Sequence, residues 1–169
     1  MPQNLIATAI NKLIPLVSNG LEFGIGIEAN GNLLPVITSW SKDKIELPPD
    51  YLASLTNGGI FIHYHPSGSS LSFQDFKTAH DFNFSGIIAF VTNGYKGKGI
   101  YVINNPRKVN IFRIKSLFIK FQSHEVNILN KKCYKNVKLN YSREYKKVNR
   151  KVWLKIAKIT KLEYYWIGF

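Results

Sequence analysis

The chain has 169 residues, with 23 Lys plus Arg against 10 Asp plus Glu, for a formal net charge of +13. A hydrophobic content of 45% excludes a disordered chain, and a single cysteine, Cys133, excludes both a disulfide framework and a cysteine-rich zinc site. No run of about 18 apolar residues suggests a membrane span, and the N-terminus lacks the basic region of a signal peptide, so a cytoplasmic protein is expected.

Residues 5–18 place Leu5, Ile6, Ala9, Ile10, Leu13 and Leu16 at helical spacing, which predicts an amphipathic first helix. Asn19-Gly20 turns the chain. Residues 21–28 alternate as a strand, Asn30-Gly31-Asn32 reads as a hairpin turn, and 33–40 read as the returning strand, with Pro35 near its start. Residues 50–56 predict a short helix opened by Asp50. The run Gly59 to Pro66 has strand character and stops at Pro66, which has no ladder donor. Ser72 opens a helix to about Asn83. Residues 86–92 and 99–104 are strands separated by a turn at Asn93-Gly94.

Charge divides the chain at Pro106. Residues 1–105 carry six Lys and seven acids, for −1; residues 106–169 carry 17 Lys plus Arg and three acids, for +14. Two parts are therefore expected: a neutral domain over 1–105 and a basic, mainly helical extension over 106–169. In the extension Ile111, Ile114, Phe118 and Phe121 share one helical face. Tyr141, Tyr145, Val148, Val152, Ile156 and Ile159 share another, with lysines and arginines opposite. The aromatic end EYYWIGF is expected to pack back on the protein. An excess of +14 over this length points to nucleic acid or another polyanion as a partner, against a solvated surface or a dock for protein or membrane surface.

The chemistry concentrates in Phe61 to Asp75. On a strand, residues two apart share a face, with Cβ atoms roughly 6–7 Å apart, so His63 and His65 converge while Tyr64 points away. Pro66 ends the strand, and the loop can bring the first turn of the next helix, with Asp75, over the strand end. Two imidazoles, one carboxylate and a water make a tetrahedral catalytic zinc site. Ser72-x-x-Asp75 is also a capping box, a role compatible with catalysis.

The pattern H-x-H-P, then S-x-x-D opening a helix, resembles the JAMM (MPN-plus, JAB) zinc metallopeptidases over about residues 17–105. The His65-Pro66-Ser67-Gly68 tetrad is similar to the RadC branch of that superfamily. The six residues between His65 and Ser72 are one fewer than the usual spacing, as in some phage and toxin-associated members. The resemblance implies a three-layer α/β domain, a curved mixed sheet flanked by helices. It implies Zn2+ held by His63, His65 and Asp75, Ser72 as oxyanion donor, and a glutamate general base that activates water for attack on an amide or isopeptide bond of a protein or peptide substrate, in the family often a bond to a ubiquitin-like modifier. Glu22, just before Phe23-Gly24-Ile25-Gly26, is the preferred base and Glu28 the alternative. His80, five residues beyond Asp75, falls off the site's side of the helix, and His124 has no partner pattern. Three rival readings remain: a HUH-type DNA-nicking endonuclease, with Tyr141 or Tyr145 as nucleophile, a RadC-like nucleic-acid-associated protein without peptidase activity, and a metal-free structural domain.

Overall fold

The structure, a computed structural model, describes residues 3–38, 44–94, 97–136 and 138–169. It is mixed α/β, with a five-stranded mixed sheet and five helices among the described residues. In chain order these are α1 (Gln3–Leu13), β1 (Gly24–Ile27), α2 (Pro49–Leu55), β2 (Ile60–Tyr64), α3 (Phe73–Asp81), β3 (Gly86–Gly94), β4 (Gly97–Asn104), α4 (Ile111–Lys135), α5 (Tyr141–Ile159) and β5 (Glu163–Gly168). No helix among the described residues is long and apolar enough to cross a membrane.

The sheet order follows the chain, β1-β2-β3-β4-β5. Its one parallel pair is β2 with β3, in register Ile60↔Gly86 to Tyr64↔Phe90. The other pairs are antiparallel. A parallel pair needs a crossover, here the loop after Tyr64 followed by α3. Ligand sites in α/β sheets form outside the carboxyl ends of such strands.

Side-chain alternation sorts the sheet residues into two cores. Ile60, Ile62, Tyr64, Ile88 and Phe90 face α1 and meet Ala9, Ile10 and Leu13. Phe61, Ile87, Ala89, Val91, Tyr101 and Ile103 face the other way and meet side chains of α2, α3, α4 and α5. Helices thus cover both faces.

Two details differ from the pattern reading, and a third sharpens it. The strand expected over 33–40 is reduced to isolated bridges, Ile27↔Leu33 and Gly24↔Ile37; residues 39 and 40 lie outside the described residues. Pro35 has no N–H for a ladder, and its carbonyl instead accepts from the Tyr51 hydroxyl at 2.9 Å. The helix from residue 5 gives way after Leu13 to a 3-10 stretch, Ile14–Asn19, with Pro15 in its first turn. The aromatic terminus forms β5, paired with β4 from Asn104↔Glu163 to Gly99↔Gly168.

The charge change at Pro106 does not coincide with a break in the core. Ile114, Phe118, Leu129, Val148, Val152, Trp153, Ile156, Leu162 and Tyr164 are buried in the same cluster as Phe76, Ala89 and Tyr101. On α5 the buried stripe is Val148, Val152, Trp153 and Ile156, while Tyr141, Tyr145 and Ile159 overshoot it and stay exposed.

Candidate metal centre

His63 leaves β2 on the same face as Phe61, and the two rings stack at 5.5 Å and 15°. Gly24, opposite His63 in the β1 register, permits this: a Cβ there would lie 2.2 Å from the Phe61 ring. Beyond the strand, the chain turns at His65–Gly68, closed by the Gly68 N–H donating to the His65 carbonyl at 3.0 Å. Gly68 has φ +69°, and a Cβ there would lie 2.6 Å from the Asn93 carbonyl oxygen. Only glycine suits both demands. The tight turn presses the loop against the end of β3 and swings the start of α3 over the histidines.

α3 begins with a complete capping box. The Asp75 N–H donates to Ser72 Oγ at 3.1 Å, and the Ser72 N–H donates to Asp75 Oδ2 at 2.6 Å. The reciprocal bonds hold the carboxylate in the first helical turn. Asp75 Oδ1 then lies 3.5 Å from His63 Nε2, and Oδ2 lies 3.7 Å from His65 Nε2. The two Nε2 atoms are 2.6 Å apart. Capping and convergence on the histidines therefore coexist at Asp75.

Those separations test the fit of a metal. An ion held tetrahedrally at 2.0–2.2 Å from each donor spaces the donors about 3.3 Å apart. The distances of 2.6, 3.5 and 3.7 Å scatter around that value. Two imidazole nitrogens at 2.6 Å also require a proton or a cation between them, because their lone pairs repel otherwise. His65 Nδ1 lies 3.0 Å from the Ser69 carbonyl, which places its proton there and leaves Nε2 as a donor to a metal. His63 Nδ1 is buried and has no hydrogen-bonding partner among the described residues. The donor set fits Zn2+.

Electrostatics favour the same species. Burial lowers the His63 pKa to about 4, even though Asp75 pulls it upward. Burial alone would raise the Asp75 carboxyl, but the two imidazoles and the bonds from Ser72 outweigh it and bring it below the usual carboxylate range. Near neutral pH the site therefore holds an uncharged His63 beside an ionised Asp75, a state that suits a divalent cation.

A cavity of about 380 Å³ opens over this cluster, lined by Glu22, Phe61, His63, His65, Ser72 and Asp75 among others. Glu22 is 8% exposed and sits in its wall. Glu28 lies at the far end of β1, beside the turn, where Asn32 Nδ2 donates to Oε2 at 3.1 Å. It lines a separate cavity with Gly31 and Asn104. The structure thus brings Glu22, but not Glu28, to the histidines. His80 instead contacts Asp81, Nδ1 to Oδ1 at 3.2 Å. Tyr145 lies in a neighbouring groove with Ser67 and Ser69.

The residues that brace the loop from afar were not marked in the motif. Trp153 Nε1 of α5 donates to the Leu71 carbonyl at 2.7 Å, and the Tyr164 hydroxyl of β5 meets Ser70 Oγ at 2.7 Å. Ser70 and Leu71 lead directly into the N-cap. These contacts span 82 and 94 positions of sequence, so no local pattern announces them. No family model, curated protein or solved structure matches the chain.

Proposed function

We propose that the chain is a zinc-dependent hydrolase of amide or isopeptide bonds, of the JAMM type. The observation that carries this reading is the convergence of His63 Nε2, His65 Nε2 and the Asp75 carboxylate at the floor of a cavity that Glu22 and Ser72 also line. His63, His65 and Asp75 would hold the ion. When bound, Zn2+ supplies Lewis acidity toward a water or carbonyl oxygen.

The remaining work falls to side chains of this chain. The Glu22 carboxylate accepts the proton of the attacking water and passes it to the leaving amine. Ser72 Oγ already accepts from the Asp75 N–H. Its hydroxyl proton is not committed to that bond and can be donated to the oxyanion of the tetrahedral intermediate. The Ser69 carbonyl holds His65 in one tautomer. Asp75, ionised and tethered by Ser72, balances the positive charge.

Metal analysis and cleavage of a peptide library by the purified chain test the reading together. One zinc per chain is expected in the parent protein and in Glu22→Gln, with less than a tenth of that in His63→Ala. Cleavage is expected in the parent and not in Glu22→Gln or His63→Ala, with Ser72→Ala slowed about 100-fold, the usual cost of one oxyanion donor. A parent protein without stoichiometric metal, or a Glu22→Gln variant that cleaves at the parent's rate, would overturn it.

A further inference from the structure

The first turns of α5 carry features that the hydrolytic site does not use. Tyr141 and Tyr145 stack on each other, with ring centroids 5.9 Å apart and planes 21° from parallel. They are 44% and 43% exposed, where a pair kept for core packing would be covered. The next residue, Lys146, points back toward the sheet, its Nζ 3.5 Å from the Asn93 carbonyl. Between Ser142, Tyr145, Lys146 and Asn149 of α5 and Pro66, Ser67 and Ser69 runs a groove of about 360 Å³. Ser67 and Ser69 also line the metal cavity, so groove and cavity share a wall.

The segment that carries α5 has a large positive excess. Residues 106–169 contain three acids, and each is engaged: Glu125 with Lys151 and Lys155, Glu144 with Lys147, and Glu163 with Asn104. The cations that remain give a long-range attraction for anions, and the groove is where that attraction meets exposed aromatic faces.

We propose that the groove between α5 and the Pro66–Ser69 loop binds single-stranded nucleic acid along the mouth of the metal cavity. Phosphates meet Lys146, and unpaired bases continue the Tyr141–Tyr145 stack. A duplex fits less well, because its bases are already stacked on one another and present only their edges. An acidic protein segment supplies charge but no flat faces for the two rings. This inference does not depend on the hydrolytic reading.

Fluorescence anisotropy with a 20-nucleotide oligo-dT, its duplex with oligo-dA, polyglutamate and phosphatidylserine vesicles tests it on the full chain. The single strand is expected to bind at least tenfold tighter than each of the other three at 50 mM salt. The Tyr141→Ala, Tyr145→Ala double variant is expected to lose tenfold or more in affinity for the single strand with its salt slope unchanged. Lys146→Gln is expected to reduce the slope of log affinity against log salt by about 0.7. All three substitutions lie on exposed or half-buried positions, and urea unfolding verifies that each variant is folded. No binding at 50 mM salt, equal binding of polyglutamate or vesicles, or a tyrosine double variant that binds like the parent would overturn the proposal.

Discussion

At His63, the same burial that prepares a metal ligand makes the metal-free protein sensitive to acid. The imidazole pKa is about 4 in the folded chain and about 6.5 when unfolded. Between these values the unfolded state binds more protons, so stability rises with pH across this window and is lost as pH falls from about 6.5 toward 4. The shift bounds the effect at about 3 kcal/mol, at 1.36 kcal/mol for each pKa unit. Urea unfolding of the metal-free protein at pH 7 and pH 4.5 is expected to show this loss, and His63→Gln should remove most of the slope. Bound zinc should steepen the dependence in the same direction, because a ligating imidazole must be unprotonated. Equal urea midpoints at both pH values would show that His63 is not held neutral. The alternation of His63, Tyr64 and His65 made this placement legible in the sequence: period two alone sends both histidines to one face and Tyr64 to the α1 side, where its hydroxyl lies 3.2 Å from Thr92 Oγ1.

Among the elements, α5 is a brace for the metal loop as well as a basic surface. Trp153 is fully buried, with its ring 5.0 Å from Phe118 and 5.5 Å from Phe76, and its indole N–H ends on the Leu71 carbonyl. Trp153→Phe keeps much of the apolar contact and leaves that carbonyl unpaired, at a cost of about 1–3 kcal/mol. Because Leu71 immediately precedes the Ser72 cap, zinc affinity is expected to fall several-fold as well, measured by competition with a chromophoric chelator. Lys158→Ala, an exposed position on the same helix, should change neither quantity. A Trp153→Phe variant with the parent's stability and zinc affinity would remove this bracing role. The helix itself was readable from its 3.6-residue stripe, and the capping box from Ser72-x-x-Asp75. Its indole contact was not, because a side chain meeting a backbone carbonyl 82 positions away leaves no periodic trace. The 33–40 segment misled for the opposite reason: a good turn and apolar residues promised a ladder that Pro35 cannot join.

Across the whole molecule, charge and core divide the chain differently. Pro106 separates −1 from +14, yet Trp153, Ile156, Phe118 and Tyr164 fill the same core cluster as Phe76, Ala89 and Tyr101. β5 also covers the edge of β4 that would otherwise lie open, and Tyr101 meets Trp166 with ring centroids 4.5 Å apart. A composition shift reports what a surface faces, whereas a core is set by which apolar stripes meet; α4 and α5 have one side for each purpose. The buried pair of α4 and α5 is pinned further by Glu125, 5% exposed, whose carboxylate meets Lys155 at 2.5 Å and Lys151 at 3.3 Å. A fragment of residues 1–105 would expose Phe76, Ala89, Val91, Tyr101 and Ile103, which are buried in the full chain. Each large apolar side chain uncovered in this way costs about 1.5–3 kcal/mol, and a few of them equal the net stability of an ordinary domain. The fragment is therefore expected to lack a cooperative thermal transition and to bind less than a tenth of an equivalent of zinc, by calorimetry and metal analysis. A fragment that melts cooperatively and carries one zinc would show that the neutral part holds a sufficient core of its own, and that α4, α5 and β5 are dispensable for the metal loop.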